Sequence, residues 1–249
     1  MEINTYVTDV LNSGLHAGNF PAYLDIPKSF VDRCYTLYTS GEARHIELGL
    51  TLTCAADGTL QASALETDGD ASGTGINLPV NAARTDIGDL HCHPSSSIGH
   101  KDGYAAHSPE DVASMQHHAA KPLFLRFVCS GTKIYLMAFR GGLSVISNHQ
   151  IFAVRDANHD LASAYFDRHC PYDEDKRNDM MLALPSQAAI NEEMRRIRRV
   201  TPGLGREMQR LSIAGGVQIA NSCHLGFYMA DQGWGISVGF YGYLRLYLQ

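Results

Sequence analysis

The chain has 249 residues, of which 45% are hydrophobic and 18% are charged, and its formal net charge is -6 at pH 7. A chain of this length and composition forms one large globular domain, or a domain with an elaboration, and is not disordered. The negative charge argues against general nucleic-acid binding, and no apolar run approaches the length of a membrane span.

The first predicted elements are a helix and a β-hairpin. Residues 26–41 place apolar side chains at helical spacing as far as Gly41, where we expect the helix to end. Residues 45–67 then contain two strand-like runs, the first of them IELGLTLT. The runs are joined at Asp57-Gly58, which is a strong hairpin signal.

A loop, a strand and a second helix follow. Residues 67–88 are rich in Gly, Asp, Ser and Asn and predict a loop with a short strand near GINLPV. The run IGDLHCH predicts a strand that ends at Pro94. The run SPEDVASMQHHAA predicts a helix, with Ser108 as the N-cap and Pro109 as the first helical residue.

The second half of the chain predicts strands and helices on either side of one segment that gives no clear signal. LFLRFVCS and KIYLMAFR predict a tight hairpin around residues 131–132. Residues 145–184 have no clear period. SQAAINEEMRRIRRV predicts a helix, GREMQRLSIA predicts another, and the Tyr- and Gly-rich tail from Cys223 predicts strands with a turn at residues 231–235.

Histidines and carboxylates are concentrated in DLHCHPSSSIGHKDGYAAHSPEDV, residues 89–112. His91 and His93 lie on the same face of the predicted strand, so their imidazoles can bind one divalent cation. Asp111, in the first turn of the following helix, is well placed as a third ligand, and Asp102 is its rival. Three protein ligands leave a fourth position for water, as in catalytic rather than structural zinc sites.

These residues also have purely structural interpretations. A His-x-His pair is often two surface histidines, and the Ser108–Asp111 pair alone is typical of a helix cap. The combination of strand, His-x-His and capped helix nevertheless favours a metal site. The other histidines of this region fit loops or helix ends better than metal ligands: His100, His107, His117 and His118.

These motifs resemble those of the JAMM (MPN-type) zinc metalloproteases. That family has a Glu on an early strand, then H-x-H-P, then a Ser and an Asp three residues later. The resemblance implies that His91, His93 and Asp111 bind one Zn²⁺ per chain. It also implies that Glu47 is the general base and that Ser108 supports the oxyanion.

The resemblance, which covers about residues 28–142, further implies a fold and a function. The fold is α/β, a JAMM-like (cytidine-deaminase-like) sheet flanked by helices over residues 1–144. Residues 145–249 lie outside the resemblance, and we expect them to form a C-terminal α+β elaboration that recognises the substrate. The implied activity is hydrolysis of an amide or isopeptide bond in a protein substrate, with removal of a ubiquitin-like modifier as the expected reaction. A general exopeptidase or a small-molecule amidase is the alternative, because nothing in the sequence of the tail indicates a partner.

Two further features bear on the predicted site: the length of one loop and the choice of the general base. The loop between the second His of the motif and the Ser, residues 94–107, has fourteen residues and is longer than in the family. We expect it to act as a lid or as a flap that contacts the substrate. Glu42 and Glu66 are alternatives to Glu47 as the base; Glu47 is preferred because ELGL begins an apolar strand, as the family's Glu does.

Two other functions fit parts of the sequence. DLHCHPSSS also resembles the first motif of PHP-type phosphoesterases, which bind two or three metals. That family requires an apolar strand ending in Asp-His after the helix, and LFLRFVCSGT has neither residue. A non-catalytic MPN-type scaffold is the other alternative, and the presence of every ligand type argues against it.

The basic segment and the cysteines carry weaker predictions. RRIRR, residues 195–199, can bind an acidic partner or nucleic acid, but Glu192 and Glu193 favour a solvated helix face. The six cysteines are scattered and include no CxxC pair. This pattern indicates reduced, mostly buried thiols in a cytoplasmic protein, and the first residues, MEINTYVTDVLNSG, lack the pattern of a signal peptide.

Overall fold

A computed structural model of the chain describes residues 1–13, 19–66, 86–94, 105–131, 133–230 and 242–249. Its strands are β1 Tyr23–Pro27, β2 Gly49–Cys54, β3 Leu60–Glu66, β4 Asp86–His93, β5 Leu123–Ser130, β6 Lys133–Arg140, β7 Gly226–Met229 and β8 Tyr243–Leu248. Within the described residues they form one sheet of eight strands in the order β1-β8-β7-β6-β5-β4-β2-β3. Neighbouring strands are antiparallel, except that β4 and β5 are parallel.

Helices cover both faces of this sheet. They are α1 Ile3–Ser13, α2 Lys28–Arg44, α3 Pro109–Ser114, α4 Asn148–His169, α5 Glu174–Leu182, α6 Gln187–Val200 and α7 Leu204–Cys223. Apolar side chains of α1 and α2 form one core with the sheet, and those of α3, α4 and α7 form the other. The expectation of an α/β fold with a sheet flanked by helices is therefore confirmed at this level. None of the described helices is long and apolar enough to cross a membrane.

The parallel pair β4–β5 lies in the interior of the sheet and is buried on both faces. Leu90 and Cys92 of β4 belong to the core under α1 and α2. Because side chains alternate along a strand, His91 and His93 point to the opposite face. The chain passes from β4 to the parallel strand β5 through α3, so this crossover brings α3 near the histidine-bearing end of β4.

Several predicted elements are confirmed. The run IGDLHCH is within β4, and LFLRFVCS and KIYLMAFR are β5 and β6 of a hairpin. The turn at Asp57-Gly58 joins β2 and β3, and Gly58 has a φ of 86°, a conformation that suits glycine. The predicted helix from residue 186 is α6, with Ser186 as its N-cap.

The prediction that the helix of residues 26–41 ends at Gly41 is wrong. Helix α2 continues to Arg44 and ends at His45, which has a left-handed φ of 56°. Gly41 is instead a point of close approach, because a Cβ there would overlap Cys92 Sγ and lie 2.9 Å from the carbonyl oxygen of Ile46. The glycine therefore lets α2 pack against β4 rather than stopping the helix.

Two other boundaries differ from the sequence-based expectation. The strand predicted from Ile46 begins at Gly49, so Glu47 lies just before β2. Residues 145–184, which show no clear period, contain α4 and α5. Helix α4 buries only three side chains and α5 none, so neither carries the apolar stripe that reveals a helix in a sequence.

The C-terminal part of the chain contributes to the central sheet. Strands β7 and β8 follow residue 144, yet they pair with β6 and β1 in the same sheet. Five of the six cysteines are buried, which confirms the expectation of mostly buried thiols. The short strand predicted near GINLPV, the turn at residues 231–235 and most of the loop 94–107 lie outside the described residues.

Candidate metal centre

Asp111 is fixed in position by the start of α3. Ser108 is the N-cap of this helix, and its Oγ accepts a hydrogen bond of 3.0 Å from the Asp111 amide. In return, Oδ2 of Asp111 accepts a hydrogen bond of 2.8 Å from the Ser108 amide. This reciprocal capping box confirms the cap interpretation of the pair, and it also holds the Asp111 carboxylate at the helix end nearest β4.

The structure brings together the three residues predicted as metal ligands. Nε2 of His91 lies 3.3 Å from Oδ1 of Asp111, and Nε2 of His93 lies 3.6 Å from Oδ2 of the same residue. Donor atoms of all three residues lie within 4.8 Å of one another. Ligands bound tetrahedrally at about 2.0–2.1 Å from one zinc ion would be about 3.3 Å apart. The three side chains can therefore hold a metal ion.

The burial of these side chains supports the same conclusion. Nε2 of His91 is buried and makes no hydrogen bond with any described group, although Asp111 is close. In the neutral ring with its proton on Nδ1, the lone pair of this nitrogen would be costly to leave without a partner, and a bound cation would satisfy it. The Asp111 side chain is 19% exposed and that of His91 is 4% exposed, so the site is largely shielded from solvent and the aspartate is its more accessible member.

Acidic groups dominate the electrostatics of this cluster. Burial disfavours a charged imidazole, but the carboxylates of Asp111 and Asp89 outweigh it and raise the pKa of His91 to about 10. Burial also opposes ionisation of Asp111, but His91 and His93 hold its pKa well below the usual range. The site thus presents ionised carboxylates to two imidazoles, which is a favourable environment for a cation.

Glu47 joins the cluster from the neighbouring strand. The antiparallel register of β2 and β4 pairs Gly49 with His91, and its continuation brings Glu47 beside His93. Oε1 of Glu47 lies 3.9 Å from Nε2 of His93, and the Glu47 side chain is 12% exposed. Of the two alternative bases, Glu42 lies beside Tyr38, whose pKa is raised by burial and by that carboxylate. Glu66 ends β3, one strand further from β4.

The other histidines of the segment stay outside the three-ligand group where they are described. Nε2 of His107 is 2.8 Å from the backbone oxygen of Arg126, and His118 stacks on Phe124 with ring centroids 4.0 Å apart. His117 is exposed. His100 and the rival ligand Asp102 lie outside the described residues.

Two residues near the centre were missed by sequence reasoning. Asp89 lies two residues before His91 on β4, and its Oδ1 is 3.5 Å from Nδ1 of His91. Arg126 lies on β5, paired in register with Asp89, and binds its carboxylate through Nε and Nη2. The sequence contains a signal for each of them. Asp89 lies on the same face of its strand as the two histidines, and Arg126 is a charged residue within an otherwise apolar strand.

The basic segment of α6 has local partners. Arg195 lies 2.8 Å and Arg199 2.9 Å from carboxylate oxygens of Glu192, and Arg196 lies 2.6 Å from one of Glu193. These exposed pairs are the charge balance expected of a solvated helix face.

Comparison of the chain with protein-family models, with curated proteins and with solved structures finds no match. The fold and the site themselves define a class of candidate metal centre. In it, two histidines lie on a strand and an aspartate lies on a capped helix, with a glutamate beside them.

Proposed function

We propose that this protein is a zinc-dependent hydrolase of the JAMM type that cleaves an amide or isopeptide bond. The observation that carries the proposal is the convergence of His91, His93 and Asp111 with the carboxylate of Glu47 beside them. These are the residue types and the order along the chain that the JAMM resemblance requires. The same resemblance supports the finer assignment of the fold as JAMM-like.

His91, His93 and Asp111 would hold one Zn²⁺ per chain. Two imidazoles and one carboxylate are a common donor set of catalytic zinc sites, which keep a further position for water. When bound, zinc supplies a Lewis acid and lowers the pKa of a coordinated water to about 7. Of the residues His91 and Asp111, the aspartate is the more exposed, with 19% of its side chain accessible.

Glu47 and Ser108 have distinct roles in the proposed reaction. The carboxylate of Glu47 accepts a proton from the attacking water and delivers it to the leaving amine. The Ser108 hydroxyl accepts a hydrogen bond from the Asp111 amide, and its own proton can be donated to the carbonyl oxygen as negative charge develops. The carboxylate of the proposed base lies just before the start of β2. The hydroxyl of the proposed oxyanion donor lies at the capped end of α3.

The described residues favour this proposal over the two alternatives. A phosphoesterase of the PHP type needs two or three metals, and the part of the chain that the structure describes contains one group able to hold a metal. A scaffold that has lost catalysis has no need of a complete ligand set with a carboxylate base beside it. The donor set, with the carboxylate of Glu47 beside it, supports the proposal of a hydrolytic centre.

A protein substrate with a ubiquitin-like modifier is the proposed target. The C-terminal helices offer a surface for the folded body of the modifier or of its target, because α4 buries three side chains and α5 none. An extended modifier tail can add to an exposed sheet edge through main-chain hydrogen bonds, with little demand on its sequence.

The test compares two substrates with two variants. Zinc-loaded wild type, His91→Ala and the control His117→Ala are assayed on a modifier-linked amide and on bis(4-nitrophenyl) phosphate. We expect amide cleavage by wild type and by His117→Ala, and none by His91→Ala. Phosphodiester turnover without amide cleavage, abolished in His91→Ala, would instead assign a phosphoesterase.

A further inference from the structure

A buried ion pair lies directly behind the metal-ligand cluster. Asp89 is 1% exposed and Arg126 is 7% exposed. The guanidinium binds the carboxylate as a fork, with Nε 3.0 Å from Oδ1 and Nη2 2.6 Å from Oδ2. Burying such a pair carries a desolvation penalty, and well-packed apolar side chains in its place are often as stable or more stable. Stability alone therefore gives a weak reason for this pair.

Each member of the ion pair contacts a residue that is proposed as a metal ligand. Oδ1 of Asp89 lies 3.5 Å from Nδ1 of His91, the ring nitrogen opposite the one that faces Asp111. The remaining nitrogen of the Arg126 guanidinium, Nη1, donates to the backbone oxygen of Asp111 and to Oγ of Ser114. One guanidinium thus connects a histidine ligand on β4, through Asp89, to the aspartate ligand on α3.

We propose that Asp89 and Arg126 are positioning residues that set His91 and Asp111 in the geometry of the metal centre. This inference rests on the metal centre of the proposed function. Asp89 accepts a hydrogen bond from the Nδ1–H of His91, which fixes the neutral tautomer with Nε2 as the donor to the metal. Arg126 holds the Asp89 carboxylate and anchors α3 at the residue that provides the third ligand.

The contact of Asp89 with His91 and that of Arg126 with Asp111 each have a physical reason. A metal-ligating histidine commonly donates its other ring N–H to a carboxylate, which orients the ring and raises its basicity. Helix α3 has only six residues, and so short a helix has little stability of its own. The hydrogen bond from Arg126 to the Asp111 backbone supplies a tertiary restraint at the first turn, where the ligand lies.

The test measures metal affinity and coordination, not only activity. Asp89→Asn keeps the size of the side chain and removes its charge. Chelator competition with Zn²⁺ and with Co²⁺ should show an affinity about 10–100-fold weaker than that of wild type, the usual cost of losing such a partner. The visible spectrum of bound Co²⁺ should also change, because it reports ligand geometry, which a simple loss of stability would leave unaltered.

The chain contains a matched control for this variant. Arg245 binds Asp25 in the same forked manner, with distances of 2.7 and 2.9 Å, at the other end of the sheet. Three strands lie between β8 and β4. Asp25→Asn therefore removes a cross-strand pair of the same forked geometry but greater exposure, and it should leave both the metal affinity and the Co²⁺ spectrum unchanged.

Two further measurements cover the case in which Asp89→Asn does not fold. Arg126→Lys keeps the positive charge but cannot form the fork or reach both partners, so it should weaken metal binding in the same way. In the zinc-loaded wild type, nitrogen NMR of the imidazoles should show His91 protonated at Nδ1 and ligated through Nε2. Ligation of His91 through Nδ1 would overturn the inference.

The outcomes separate this inference from the proposed function. Unchanged affinity and an unchanged Co²⁺ spectrum in Asp89→Asn and Arg126→Lys would overturn the positioning role and leave the proposed hydrolase intact. A wild type that binds neither Zn²⁺ nor Co²⁺ would overturn both. Weakened binding in these variants, with Asp25→Asn unaffected, supports the positioning role even if no amide is hydrolysed.

Discussion

The carboxylate of Glu47 lies 3.9 Å from the imidazole of His93, measured from Oε1 to Nε2. This contact follows from the antiparallel register that pairs Gly49 of β2 with His91 of β4. The residue two positions before Gly49 must then lie near the residue two positions after His91. Strand pairing, and not sequence proximity, places an acidic side chain beside the candidate metal ligands.

Glu47→Gln should abolish hydrolysis while leaving the metal bound. The amide has nearly the same shape as the carboxylate but cannot accept the proton, and Glu47 is not among the three proposed ligands. A fall in kcat of about 10²–10⁴-fold is expected for loss of a general base. Steady-state kinetics and metal content should be measured together, with Glu42→Gln as the control. Normal turnover in Glu47→Gln, with loss in Glu66→Gln, would move the role to Glu66.

Ser108→Gly should separate the two roles of this serine. Glycine is a good N-cap, so the substitution should lower the free energy of unfolding by only a few tenths of a kcal/mol, whereas Ser108→Ala should cost about 1 kcal/mol. Both variants lose the hydroxyl that we propose stabilises the oxyanion. Kinetics and thermal unfolding of the two variants should therefore show similar losses of activity and different losses of stability. Full activity in Ser108→Gly would leave Ser108 with the capping role alone.

Much of the centre could be predicted because its signals are local. His91 and His93 lie on one face of a strand, because side chains alternate along it. The sequence SPED specifies a capped helix with Asp111 in its first turn. The structure confirms that these elements form and that the three side chains come together. Short-range patterns therefore identified both the three residues of the group and the elements that carry them.

Other features depend on contacts that a single sequence does not contain. The partnership of Asp89 with Arg126 arises from the register of a parallel strand pair joined by a crossover. Gly41 was interpreted as a helix stop, because the strand residue that packs against it, Cys92, lies far along the chain. Helix α4 was missed because it lies largely on the surface, where hydrophobic periodicity is absent.

His91→Ala should lose most of the bound metal. Wild type should contain about one zinc per chain, because one three-ligand group is found in the described residues. Zinc should raise the thermal unfolding temperature of wild type, since a ligand that binds only the folded state stabilises it. Elemental analysis and thermal unfolding should show both effects lost in His91→Ala and kept in His117→Ala. Two or three metals per wild-type chain would favour the phosphoesterase.

Gly88→Ala should destabilise the centre of the sheet. A Cβ at Gly88 would overlap the backbone oxygen of Leu125 on the paired strand β5, and a backbone atom cannot move aside as a side chain can. We expect a loss of about 1–3 kcal/mol or more in the free energy of unfolding. Gly205→Ala is the control, because nothing lies within 4 Å of a Cβ there, and it should stabilise α7 by about 0.4–1 kcal/mol. Denaturant unfolding of both variants checks the contrast, and equal stabilities would contradict the close approach of β4 and β5.

Metal binding at neutral pH should release about one proton from His91. Burial opposes protonation of this imidazole, but Asp111 and Asp89 raise its pKa in the metal-free protein to about 10, so at pH 7 the ring is charged. Only the neutral imidazole is a ligand, so the incoming ion must displace that proton. Below this pKa the apparent affinity should therefore rise with pH, by about tenfold per pH unit for one displaced proton.

Calorimetric titration of the metal-free protein with Zn²⁺ measures this proton directly. The observed enthalpy should vary with the ionisation enthalpy of the buffer, and the slope gives the number of protons released. His117→Gln should give the same slope as wild type, because that exposed residue is outside the three-ligand group. Asp111→Asn should give a smaller slope and a weaker affinity, since it removes a proposed ligand together with the first carboxylate that raises the pKa of His91. An enthalpy independent of the buffer in wild type would show that His91 is already neutral, contrary to the charge distribution of the cluster.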